Sequence, residues 1–180
     1  MAVVAAPIRT SDRLVAAALR AFAERGYEAT SLDQIAVDCD VRKQTLLYHF
    51  PSKEALLAAV IDHTVDELAE RLRAAGEGRA DRRRALVDAI FRIGAERPEL
   101  LELVREALSL GPPASELLLD AAGPFLDQLA TGMPRDKVLQ AAAMILGMAT
   151  EADVLAAVGV EPTLAQLRRR RRALLAFVTE

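Results

Sequence analysis

Between Asp40 and Pro51 the chain has room for little more than two helical turns, and backbone chemistry closes both ends of that interval. Proline lacks an N–H and cannot continue a helix, while Asp tolerates the left-handed conformation that a turn between steeply crossed helices needs. Upstream, Ser31 reads as the N-cap of a helix that carries Leu32, Ile35 and Ala36 at helical spacing and ends near Cys39. A second helix follows from Arg42, and Ser52 with Lys53, Glu54, Leu56 and Leu57 opens a third. This arrangement predicts a helix-turn-helix. On its second helix Leu46 and Phe50 lie one turn apart and face inward with Val41, which leaves Lys43, Gln44, Leu47 and Tyr48 on the outward stripe. So short a helix is held by its neighbours and presents a surface.

The run TLLYHFPSKEALL, with the Val41 turn and GYEATSLDQIA before it, resembles the DNA-binding region of the TetR family of bacterial transcriptional regulators. Positions match in order across roughly the first sixty residues. The family pattern usually has Gly where Asp40 stands, a small hydroxyl residue at Arg42 and Tyr at Leu47, departures that bear on base preference and not on fold. The resemblance implies an all-α chain with an N-terminal three-helix helix-turn-helix DNA-binding domain, residues 1–55. A C-terminal helical ligand-binding and dimerisation domain, residues 56–180, would follow. It also implies pairing through the last two long helices, and a grip on the DNA backbone by Tyr48, His49 and Lys53.

Composition agrees with an all-helical chain, since 52% of the 180 residues are apolar but only 4% aromatic. The net charge of −3 argues against a surface coated in cations, yet Val41 to Lys53 holds Arg42, Lys43 and Lys53 without a carboxylate. A local positive face on an acidic chain favours docking in register over indiscriminate sticking. The single cysteine, Cys39, forms no internal disulfide and suits a reducing cytoplasm, and it reads as a small buried residue behind the turn. The N-terminus has no basic region before its short apolar run, so export is not expected, and Leu139 to Thr150 is too short to span a bilayer.

A first helix is expected from Ser11 to Arg25, burying Leu14, Ala18 and Phe22 and stopping at Gly26. The helix from Ser52 should continue to about Ala74 and join the two domains. Gly and Pro punctuation then delimits Asp81 to Arg97, Glu99 to Leu110 after Pro98, Ala114 to Thr131, Pro134 to Val158, and Pro162 to Phe177. Gly123 and Pro124 are expected to kink or split the third of these and open space beside it. The segment Ala141 to Ala149 is apolar almost all round, which assigns this helix and the last to a two-fold, four-helix dimer interface; one buried central helix in a monomer is the alternative.

The expected DNA contacts are Ser31, Arg42, Lys43, Gln44, Thr45, Leu47, Tyr48, His49 and Lys53. Lys43 and Gln44 suit guanine and adenine edges, Leu47 a thymine methyl, and Arg42 phosphate or guanine. Thr30 and Ser31 are placed to bind phosphate at a helix start, although Ser31 serves equally as a cap. The five arginines Arg168 to Arg172 circle a helix instead of marking one face, so they read as solvated cations meeting carboxylates elsewhere, as do Arg82 to Arg84. His63 reads as the partner of Glu67 in a surface ion pair. With two histidines and one cysteine no catalytic triad, zinc site or other cofactor site is expected.

The sequence thus predicts a cytoplasmic homodimeric transcriptional regulator, a repressor, that binds a palindromic double-stranded DNA operator. A small apolar effector would bind among the middle helices, lined by Phe91, Val104, Phe125 and Met148, with Glu151 as a polar contact. Two other readings stay open at this point: a helical module using the same surface to bind protein, and a helical enzyme of unidentified chemistry.

Overall fold

In the computed structural model, residues 9–129, 134–157, 159 and 163–179 are described. Every regular element among them is an α-helix. Helix α1 (Thr10–Arg25) buries Leu14, Ala18 and Phe22 completely and Ala17, Leu19 and Ala21 nearly so. It is enclosed because α2 (Leu32–Asp38), α3 (Lys43–His49), α4 (Lys53–Gly76) and α6 (Pro98–Leu110) all pack against it. Gly26, at φ +82°, ends α1 with its N–H donating to the Phe22 carbonyl. A side chain there would be strained, and its Cβ would lie 3.3 Å from a Glu106 carboxylate oxygen.

The turn after α2 forms because Asp40 takes the left-handed conformation, φ +54°. Its N–H donates to the Val37 carbonyl and that of Val41 to the Ala36 carbonyl, each at 3.0 Å, the paired bonds of a Schellman cap. Arg13 of α1 donates a further bond of 2.7 Å to the Cys39 carbonyl, so α2 ends with its last carbonyls satisfied. Cys39 is buried, as expected, and burial raises its thiol pKa.

Helix α4 begins at Ser52, whose hydroxyl accepts the Ala55 N–H at 3.1 Å, and it buries Leu56, Leu57, Val60, Ile61, Thr64, Val65 and Leu72. It packs on α1, α6, α5 (Arg82–Glu96) and α7 (Ala114–Leu129). One hydrophobic core therefore runs from Leu14 through α4 and α6 to Leu118, across the expected boundary between residues 55 and 56, which falls in the first turn of α4. Pro124 lies inside α7 without splitting it. Helices α8 (Arg135–Ala157) and α9 (Leu164–Thr179) follow, and a second small core of Val87, Leu174 and Val178 fastens α9 to α5. Arg171 supports this contact by pairing with Asp88, as the reading of the arginine run anticipated. His63 stands 3.7 Å from Glu67, which also accepts from Arg71 and Arg97.

Candidate nucleic-acid interface and the cavity behind it

Helix α3 is anchored by one side chain. Leu46 is fully buried beneath it, while Val41 and Phe50 at its ends pack against the same core. Since an α-helix advances 100° per residue, burying Leu46 turns Gln44, Leu47 and Tyr48 outward. Tyr48 is 85% exposed, Leu47 36%, and Arg42, Lys43 and Gln44 are exposed, whereas Thr45 and His49 border the core. The His49 ring stands edge-on to that of Tyr48 at 5.3 Å between centroids. An 85% exposed tyrosine beside an exposed leucine gives α3 a surface that needs a partner.

Ser31 is exposed at the start of α2, and its hydroxyl accepts the Gln34 N–H at 3.2 Å, the capping role. Thr30 corrects an expectation. It is 2% exposed, and its hydroxyl bonds the carbonyls of Ala21 and Gly26, so it ties the turn to α1 and offers phosphate nothing. Lys53 is held in place: its ammonium lies 4.2 Å from the Tyr27 ring centroid and 3.3 Å from the Glu28 carbonyl. Tyr27 packs edge-on against the buried Phe22 at 5.2 Å. Its hydroxyl is shifted toward a higher pKa, first by burial and then by Glu54 and Glu28. The aromatic stack thus runs from the core to the cation, and cation–ring attraction adds to its hold.

Three residues that spacing does not reveal complete the surface. Tyr27 is the first. Glu106 of α6 is the second, accepting the Tyr27 backbone N–H at 2.7 Å and so joining the turn before α2 to the rest of the molecule. Asp33 is the third, 2.7 Å from the Lys43 ammonium. Each contact links residues on different elements, which no periodicity encodes.

Behind this head, α4 to α9 enclose a cavity of about 390 Å³ whose described lining consists of Ala, Val, Leu, Ile and Phe. Val104 and Phe125 line it as expected, together with Ile90, Leu118 and Ala142. Phe91 does not line it. One step along α5 from Ile90 rotates a side chain by 100°, and Phe91 packs instead against the Val87, Leu174 and Val178 cluster. The side chains of Met148 and Glu151 lie outside the described residues. Leu108, Leu119 and Leu139 are both lining and solvent-exposed, so the cavity opens through an apolar mouth between α6, α7 and α8.

Residues 14–60 match the model of the bacterial regulatory proteins of the tetR family. By its N-terminal domain, the chain belongs to the TetR family. It is similar to the transcriptional activator FasR of Mycolicibacterium smegmatis, 40% identical over 82 residues, 44% of this chain and 37% of that protein. It is also similar to the transcriptional regulator RutR of Escherichia coli K12, 47% identical over 53 residues, 29% of this chain and 25% of that one. The match therefore spans well under half the length of these curated relatives. The TetR-like fold extends through the remaining helices. A transcriptional regulator from Saccharomonospora viridis, solved in complex with choline, superposes with a TM-score of 0.75 at 20% identity, covering 94% of this chain and 95% of that one. No described helix is long and apolar enough to cross a membrane. Among the described residues, no three of His, Cys, Asp and Glu converge as metal ligands would.

Proposed function

We propose that this chain is a cytoplasmic transcriptional repressor that binds a palindromic DNA operator as a homodimer and releases it when a small apolar molecule fills the cavity. The observation that carries the reading is α3 itself, a helix seated on the buried Leu46 with Lys43, Gln44, Leu47 and Tyr48 presented outward beside Arg42. Arg42, Tyr48, His49, Lys53 and the cap at Ser31 would hold phosphates, which set register without reading sequence. Lys43, Gln44 and Thr45 would meet base edges, and Leu47 a thymine methyl.

Symmetry follows from length. One α3 covers only a few base pairs, so two copies about 34 to 36 Å apart are needed to read successive major grooves. The exposed stripe of Leu139, Ala143 and Gly147 on α8 supports pairing through α8 and α9, because small residues let helices approach closely, and a Cβ on Gly147 would meet nothing within 4 Å. The cavity touches α4 and α6, and both of these helices are packed on α1. A ligand that wedges them apart would alter the spacing of the paired α3 helices, provided that it binds the two spacings with different affinity.

Selection of bound duplexes from a random DNA pool tests the reading, with a palindromic winner expected. Changing Lys43 and Tyr48 together to Ala should weaken binding to that duplex at least tenfold, from about 1 to 3 kcal/mol per good base contact, with the dimer intact by sedimentation. No enriched duplex, or retention unchanged in the double variant, would remove DNA binding from this surface.

A further inference from the structure

We propose that Asp33 is a specificity-determining residue of the DNA-reading surface, holding the Lys43 ammonium against base edges and away from phosphate. The inference rests on the DNA-binding reading above. Between Val41 and Lys53 the sequence supplies no carboxylate, yet the fold brings Asp33 from the first turn of α2 to within 2.7 Å of Lys43, the first residue of α3. Both side chains stay open to solvent, at 64% and 48% exposed, so the pair sits on the face a duplex would meet.

Lys43 is poorly placed by itself. It stands at the positive end of α3, next to Arg42, where helix dipole and neighbour both oppose a cation. Asp33 offsets that opposition and restricts a long, flexible stem to one direction. The restriction acts on specificity through donor geometry. A lysine ammonium has three donors, so Lys43 can keep its bond to Asp33 while donating to guanine O6 or N7 in the groove. A move to a phosphate oxygen would break the pair and leave the Asp33 carboxylate facing the anionic backbone. Asp33 therefore disfavours the contact that carries no sequence information and tolerates the one that does.

The test compares the full-length protein with Asp33→Asn on the selected duplex and on a scrambled duplex of equal length, over a range of salt. Because exposed ion pairs contribute about 0.2 to 1 kcal/mol, Asp33→Asn should strengthen binding to the scrambled duplex by a few-fold, at most about fivefold. The preference for the selected duplex should fall by a similar factor. Release of Lys43 to phosphate should steepen the salt dependence on scrambled DNA by about 0.9 in the log–log slope. Asp33→Glu, which keeps the carboxylate, should restore most of the preference. In a Lys43→Ala background, Asp33→Asn should change nothing; an effect that persists there is long-range charge alone and overturns the proposal, as does an unchanged preference in Asp33→Asn. A wild-type protein that does not distinguish the two duplexes overturns the DNA-binding reading instead, so the two failures are separable.

Discussion

The head formed by α1 to α3 and the body formed by α4 to α9 are built from the same apolar, aromatic-poor helices, but one is filled and the other is hollow. Around Leu46 the head packs Leu14, Phe22 and Ile35 with no exposure at all, whereas the body leaves about 390 Å³ open beside Val104 and Phe125. The difference teaches what each end must do. A reader two turns long keeps its geometry only if every inward side chain is locked, because its own helical propensity is too weak to hold it. A body that answers to a ligand must instead leave contacts unmade until the ligand makes them.

The contrast breaks first on substitution at the two sites. Leu46→Ala should cost about 2 to 5 kcal/mol, since it hollows a filled site. Val104→Ala should cost about 1 kcal/mol, because its side chain already borders empty space. Urea denaturation measures both, and equal costs would show that the cavity is closed in solution.

The joint between head and body gives the next largest effect. Glu106→Ala leaves the Tyr27 N–H without its acceptor and should cost about 1 to 3 kcal/mol, with faster hydrogen exchange at the Tyr27 amide. Glu106→Gln, which retains an acceptor, should recover most of this. Wild-type exchange in Glu106→Ala would mean that the turn before α2 is held by other contacts.

The smallest effect concerns the tether of α9 to α5. The Asp88 carboxyl is held below its ordinary 3.8, chiefly by its hydrogen bond from Arg171 and also by nearby arginines, against an opposing effect of burial. A depressed acid stabilises the fold above its unfolded pKa and loses that contribution as pH falls through the folded value. Because the pair is largely open to solvent, Asp88→Asn should cost under about 1 kcal/mol at neutral pH. The gap between variant and wild type should close as pH falls below about 4. A gap that is constant with pH would show that Asp88 acts through packing.

Much of the head was legible in the sequence because its signals are local. Ser31, Asp40, Pro51 and Ser52 act on the backbone within a few residues, and Leu46 with its neighbours follows from helical periodicity. Where local reasoning failed, a second element had intervened. Thr30 looks like an exposed phosphate ligand until α1 is packed over it and takes its hydroxyl. Phe91 and Ile90 are both apolar on one helix, and only the positions of α4 and α9 decide which of them meets the cavity.

The order of residues by itself determined the helices, their stops and the outward stripe of α3, because capping, proline geometry and a 100° repeat act over a turn or two of chain. Only the tertiary structure decided that Asp33 holds Lys43, that Glu106 fastens the turn at Tyr27, and that the body stays open. Those depend on where separate helices come to rest, and side-chain packing summed over the whole core sets that.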